Sequence, residues 1–201
     1  MTWSDERLKL IEAAVSVIIN KFEIPSKYSG GLKQTPMRVA KMYNEMLSGY
    51  NTHDAAHILT TNFNDEQDTE LSAYDQMIQV RNIQFWSMCE HHMCPFFGYV
   101  HIGYIPKEKI VGLSKLPRLV EVYAKRLQVQ ERMTQQIMND IIEYIDPMGA
   151  MVVIEATHTC CVMRGVKTPE ADTVTSQCYG AMFKNSTARL EYLTLLTRGR
   201  K

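Results

Sequence analysis

No apolar run in this 201-residue chain approaches the length needed to cross a bilayer. The amino terminus, Met1-Thr2-Trp3-Ser4-Asp5-Glu6, is polar, so no secretory signal is expected. Net charge is absent too: 22 Lys plus Arg balance 22 Asp plus Glu. That argues against a nucleic-acid binder relying on bulk positive charge, while leaving room for a local basic pocket. No repeat of solenoid spacing and no low-complexity segment interrupts the chain. Five cysteines, two of them adjacent, do not make a disulfide framework. They suit metal ligation or core filling in a reducing compartment. The expectation is a soluble cytosolic protein with neither membrane nor nucleic acid as partner. Its 45% hydrophobic and 22% charged residues allow a sizeable core, and the 13 methionines read mostly as flexible filler within it.

What is present divides the chain into a helical part and a mixed part. Ser4 is placed to cap a first helix carrying Leu8, Ile11, Val15, Ile18, Ile19 and Phe22 at helical spacing. Pro25 and Gly30-Gly31 break it, and Thr35-Pro36 opens a second helix with Thr35 as its cap. A polar, acidic stretch from Asn51 to Tyr74 predicts a short helix around His57 and then a loop. We therefore expect an N-terminal helical segment, 1–74, and a catalytic domain, 75–201. In the latter, Met77 to Trp86 and Phe96 to Ile105 read as strands. Ser114 caps a helix with Leu116, Leu119, Val120 and Tyr123 on one stripe. A second stripe, Met133, Ile137, Ile141 and Ile145, ends at Pro147 and Gly149. Met151–Ala156 and Thr173–Met182 read as strands, and Ser186–Leu196 as a terminal helix. This order predicts an α+β fold: a four-stranded antiparallel sheet with helices on one face. Its uncovered face and edges make oligomerisation a natural completion.

Cys89-Glu90-His91-His92 sits between the first two strands, and His158-Thr159-Cys160-Cys161 ends a later one. Thiolate and imidazole are the donors zinc prefers, and three of them with an open fourth position make a catalytic site. The C-x-x-H spacing alone also suits a buried Cys beside a surface His; the second cluster shifts the balance to a metal. Cys89, His91, His92, His158 and either Cys160 or Cys161 exceed what such a site needs, so some remain as acid, base or spectator. Ser114-Lys115 and Arg118 lie at a helix start, where backbone N–H groups favour phosphate; a solvated basic turn is the plainer alternative. Arg164 follows the second cluster by four residues, and Arg38 is a weaker candidate. Glu131, at the start of a helix, reads either as an ordinary first-turn acid or as a carboxylate for an N–H/NH₂ edge such as guanine's. His53 and His57 read as surface groups and His101 as structural; Cys94, Cys161 and Cys178 read as core or free thiols.

Together these blocks resemble the GTP cyclohydrolase I family. The resemblance is carried by Cys89-Glu90-His91-His92 with Pro95-Phe96 and Gly98, by His101 with Tyr104-Ile105-Pro106, and by Gly112-Leu113-Ser114-Lys115 with Arg118. It continues through Arg126 to Arg132, Glu155-Ala156-Thr157-His158 with Cys160, Met163-Arg164-Gly165-Val166 and Thr173-Val174-Thr175-Ser176. Thr35 to Tyr43 matches the family's N-terminal helical signature. The resemblance implies the tunnelling fold, a homodecamer with active sites at subunit interfaces, and conversion of GTP and water to formate and 7,8-dihydroneopterin triphosphate. That product starts folate, biopterin or deazapurine routes. Carried over by position, Cys89, His92 and Cys160 hold zinc, and His91 and His158 transfer protons. Glu131 with Gln130 anchors guanine. Ser114, Lys115, Arg118 and Arg164 contact the triphosphate and ribose, with Arg38 reaching in from a neighbouring subunit. The chemistry suits these groups: bound zinc lowers the pKa of water to roughly 7, and histidines shuttle protons near neutrality.

The chain departs from the family pattern in two places. Thr159 and Cys161 stand where a hydrophobic residue and a Met are more usual, and Met93-Cys94 replaces an aliphatic pair. Cys161 is thereby a possible competitor for the metal. Two other readings remain: another tunnelling-fold enzyme acting on a pterin or deazapurine, and a non-catalytic zinc scaffold closed by both Cys160 and Cys161.

Overall fold

The computed structural model describes residues 3–22, 24, 29–50, 55–60 and 74–198, with side chains omitted at 55–57. Pro25, His53, the side chain of His57 and the expected loop over 61–73 lie outside the described residues. Helix α1, Asp5–Asn20, begins as expected: the Ser4 side chain accepts from the Arg7 N–H. It packs against α2, Thr35–Met46. Here the expected cap moves by one residue. Gln34 holds the cap position without a side-chain bond, and Thr35-Pro36 form the first helical residues. Proline tolerates either of these positions, since its missing N–H would have no helical partner there. A 3₁₀ turn, Ser48–Tyr50, leads to α3, Ala55–Thr60.

The N-terminal segment is tied to the rest. Gly49 N–H donates to the Lys125 carbonyl at 2.9 Å, and Arg126 Nε returns a bond to the Gly49 carbonyl at 3.1 Å. Leu59 of α3 is fully buried in the main core.

The sheet runs β3-β1-β2-β4-β5, five strands where four are expected. β1 is Ile78–Cys89, β2 Pro95–Ile105, β4 Gly149–His158 and β5 Thr173–Gly180. These four pair antiparallel. The addition is β3, only Leu127–Gln128, parallel to the end of β1. Two residues show no alternation, so no period betrays such a strand. β1 and β4 both run past their expected ends, to Cys89 and His158.

Helices α4, Lys115–Ala124, and α5, Gln130–Asp140, cover one face. Ser114 occupies the α4 cap position with helical dihedrals and makes no side-chain cap bond, contrary to the expectation. The α5 stripe continues through a π-helical turn, Ile141–Ile145. Period-two alternation sends Ala150, Val152, Ile154 and Ala156 of β4 into this core, with Leu116, Leu119, Met133 and Ile137 opposite. The other β4 residues, Met151 and Val153, form a smaller cluster on the second face with Met182, Tyr192 and Leu196. That face is thus partly covered by the C-terminal helix α8, Ser186–Thr197, which follows the short helices α6, Thr159–Val162, and α7, Ala181–Lys184. Gly103 permits the contact: a Cβ there would meet the Tyr192 ring at 2.6 Å. The Tyr192 hydroxyl then donates to the His101 carbonyl at 3.0 Å.

Tyr123 of α4 donates to the Asp140 carboxylate of α5 at 2.5 Å, with both residues buried. Burial pushes the Asp140 carboxyl above its usual range, more than the Tyr123 hydrogen bond pulls it down. A carboxyl raised on folding favours the folded state most while protonated, and that advantage is lost as pH rises through the folded value. Asp140→Asn keeps an acceptor for Tyr123 without the buried charge. Its denaturation midpoint should exceed the parent's at pH 8, and the gap should close as pH falls toward the unfolded carboxyl value of about 3.9. Chemical denaturation at both pH values checks this; a gap that widens on acidification contradicts it.

Candidate metal centre and its neighbours

Cys89 is the last residue of β1, and a tight connection returns the chain to β2 at Pro95. Cys89 N–H donates to the Cys94 carbonyl, and Met93 N–H to the Cys89 carbonyl, both at 2.8 Å. Met93 takes a left-handed conformation, φ 51°, to close this turn. His91 and His92 project from it and are exposed. Cys160 arrives separately, at the start of α6, after β4 has delivered His158. β4 lies beside β2 with Phe96 opposite His158, so the register carries the second cluster to the first.

The donor atoms of Cys89, His92 and Cys160 all lie within 4.8 Å of one another. Both thiols are buried and the imidazole is exposed. Two sulfurs around tetrahedral zinc stand about 3.8 Å apart, given Zn–S bonds of about 2.3 Å. Small side-chain rotations therefore bring this trio to coordination distance. Its soft donor set fits zinc, and three protein donors leave a fourth position for solvent or substrate. Burial, with the neighbouring Cys161 and Cys89 thiols adding, pushes the Cys160 thiol up to about 11. Its proton must therefore leave when a cation binds. Cys161, whose Sγ is 3.9 Å from that of Cys160, is exposed and does not join the three-donor group. His91 Nδ1 lies 3.9 Å from Cys89 Sγ and is likewise outside it.

Beside the cluster stands the start of α5. β3 pairs Cys89 with Gln128, and Glu90 N–H donates to the Gln128 carbonyl at 3.1 Å. This sets Gln130, Glu131 and Arg132 next to the metal loop. Arg132 grips Glu90 with both guanidinium nitrogens, at 2.5 and 3.0 Å. That pair holds the Glu90 carboxyl below its usual range. His158 Nε2 meets Gln130 Oε1 at 2.8 Å, and its ring stacks on Phe96 with centroids 4.6 Å apart and planes 4° from parallel. Burial pulls the His158 imidazole down, and the nearby Glu131 carboxylate opposes this. Arg132 and Phe96 were not singled out by sequence reasoning. The available signals were the carboxylate between two ligands, which calls for a cation, and an aromatic at the head of the adjoining strand.

The phosphate and ribose candidates come from three separate stretches of the chain. Ser114 and Lys115 open α4, with Arg118 one turn on. Arg164 is exposed beyond α6. Arg38 bonds Gln34 on its own helix, at 3.1 Å. Among the described residues, no hydrogen bond or ion pair joins any of these five to the Cys–His group. Thr159, a departure noted above, donates to the Pro95 carbonyl at 2.6 Å and so fastens α6 to the start of β2.

Comparisons with known proteins identify the family. The family model for GTP cyclohydrolase I matches residues 11–197. GTP cyclohydrolase 1 of Wolinella succinogenes is 47% identical over 189 residues, 94% of this chain and 96% of the relative. That of Porphyromonas gingivalis is 49% identical over 170 residues, 85% and 84% of the two chains. That of Halalkalibacterium halodurans is 43% identical over 189 residues, 94% and 95%. The α+β architecture, with its largely antiparallel sheet, is the tunnelling fold expected from the resemblance. With the match spanning nearly the whole chain and the Cys–His–Cys group assembled from two strand ends, this protein belongs to the GTP cyclohydrolase I family.

Proposed function

We infer that the chain is a zinc-dependent GTP cyclohydrolase I that opens the imidazole ring of GTP and releases formate and 7,8-dihydroneopterin triphosphate. The observation that carries this reading is the convergence of Cys89, His92 and Cys160 within 4.8 Å, in a chain of this family. Zinc, when bound there, supplies Lewis acidity and a nucleophile at neutral pH. The chain's own groups do the rest. His91 and His158 transfer protons as the ring opens and recloses. The Glu131 carboxylate, with the Gln130 backbone beside it, receives the N–H/NH₂ edge of guanine. Ser114, Lys115, Arg118 and Arg164 hold the triphosphate and ribose, and Arg38 enters from a neighbouring subunit.

With that assignment goes a homo-oligomer, a decamer with sites at subunit interfaces, as the family resemblance implies. Exposed Trp86, stacked on Phe97, and exposed Tyr99 and Val174 on the second face of the sheet suit burial by other copies. The division into a helical segment, 1–74, and a catalytic domain, 75–201, belongs to the same reading, with the segment's second half docked on the domain. We place the enzyme in the cytoplasm, where GTP is made and thiols stay reduced. Among the described residues no helix is long and apolar enough to cross a membrane.

The test is incubation with GTP, scoring formate directly and pterin by fluorescence after oxidation, with and without a chelator. Stoichiometric formate and pterin that vanish on chelation and return with zinc are expected. Turnover indifferent to thorough metal removal, or no turnover of GTP by zinc-loaded protein, overturns the reading.

A further inference from the structure

Gln130 is almost fully buried, at 1% exposure, and every polar atom of its side chain is engaged by the protein. Its Nε2 faces the Ile154 carbonyl at 3.0 Å, the Thr173 carbonyl at 2.9 Å and Thr175 Oγ1 at 3.2 Å. A carbonyl oxygen only accepts, so the group facing two of them must be the amide NH₂. Reversing the amide would set its oxygen against both carbonyls at those distances. The orientation of Gln130 is therefore decided by backbone that has no alternative role.

The consequence passes to His158. Gln130 Oε1 is left facing His158 Nε2 at 2.8 Å, and an amide oxygen only accepts. His158 Nε2 must carry the hydrogen. The surrounding hydroxyls support the same directions. Thr134 Oγ1 gives its hydrogen to the Gln130 carbonyl at 2.8 Å. In its 2.7 Å contact with Thr175, Thr175 must then be the donor. That leaves Thr175 Oγ1 a lone pair for the Gln130 amide. With Phe96 against one face of the ring and Nε2 occupied, Nδ1 is the ring nitrogen left for exchange with a substrate. Among the described residues, none makes a hydrogen bond to it.

We propose that Gln130 is a positioning residue that locks His158 as the Nε2–H tautomer, so that His158 meets the substrate through Nδ1. The lock rests on the geometry alone; its use in turnover rests on the function proposed above. It differs from a direct guanine contact by the Gln130 side chain, because that side chain has no polar atom to spare.

The test is solid-state ¹⁵N NMR of the zinc-loaded enzyme labelled at histidine nitrogens, with the His158 signals identified by their loss in His158→Asn. The neutral ring is expected to show a protonated Nε2 and an unprotonated Nδ1. A neutral His158 carrying its hydrogen on Nδ1 overturns the proposal, whatever substrate the enzyme turns over, and needs no Gln130 variant. In Gln130→Met, which keeps the length of the side chain, the tautomers should mix. Its kcat for GTP should fall about 10²–10⁴-fold, the scale of a misdirected catalytic imidazole, with KM changed less than about 3-fold. An unchanged His158 spectrum in Gln130→Met, or a rise in KM at constant kcat, overturns the positioning role.

Discussion

Cys160→Ser is expected to strip the protein of zinc and of turnover together. Serine nearly matches cysteine in volume, and the Thr159 bond to the Pro95 carbonyl that fastens α6 is untouched. The fold should therefore survive. The hydroxyl is a poor ligand for a borderline-soft ion, and Cys89 and His92 alone supply two of the donors that a site of this kind needs. Loss of Lewis acidity costs several kcal/mol of transition-state stabilisation; at about 1.4 kcal/mol per decade, turnover should drop at least ~10³-fold. Metal analysis should show zinc falling from about one per chain to a small residue. Cys161→Ser is the matched control. Its thiol is exposed and outside the three-donor group, so zinc content should hold and turnover should stay within about 2-fold. Full zinc in Cys160→Ser, or its loss in Cys161→Ser, would mean that the adjacent thiol is the true ligand. Loss of zinc from both variants would instead favour the closed four-ligand scaffold.

How much of this was legible in the sequence depends on the range of the interaction. The stripes of α1, α4 and α5 and the alternation of β1, β2 and β4 are local periodicities, and they foretold the elements to within a few residues. Cys89 and His92 were legible because C-x-x-H spacing brings both donors to one turn. Spacing alone left Cys160 and Cys161 open, since adjacent residues at a helix start project in different directions; the family resemblance supplied Cys160, whose sulfur is the one grouped with Cys89 and His92. β3 was invisible for want of length, although it helps to set the start of α5 beside the metal loop. The role of Gln130 was hidden for a related reason. Its partners come from β4, β5 and its own helix, at separations of 24, 43 and 45 residues for Ile154, Thr173 and Thr175. The family resemblance gave the residue as part of the guanine anchor with Glu131; packing turns its side chain inward. The Ser114 cap failed because helical dihedrals at that position leave its hydroxyl without a cap bond.

Glu131→Gln should damage substrate choice without touching the metal. Glu131 lies in the first turn of α5, where the helix dipole favours a negative charge. It is exposed in the single chain and close enough to His158 to influence that ring. Under the proposed function, a carboxylate there accepts two hydrogen bonds from the guanine N1–H and 2-amino groups. Bonds to a charged acceptor contribute about 1.5–3 kcal/mol each, so the pair is worth ~3–6 kcal/mol, or roughly 10²–10⁴ in kcat/KM. Glutamine offers one acceptor oxygen, and its NH₂ meets another donor, so most of that range should be lost with GTP. Zinc content should remain that of the parent. Inosine triphosphate, which lacks the 2-amino group, sharpens the test. The parent should prefer GTP over it by about 10–10²-fold, the scale of one such bond, and Glu131→Gln should shrink that preference toward parity. The competing account makes Glu131 an ordinary first-turn acid. It predicts a stability loss of a few tenths of a kcal/mol and an unaltered ratio between the two nucleotides. The ratio of kcat/KM values decides between them, because a dipole contact acts equally on both substrates and a base contact cannot.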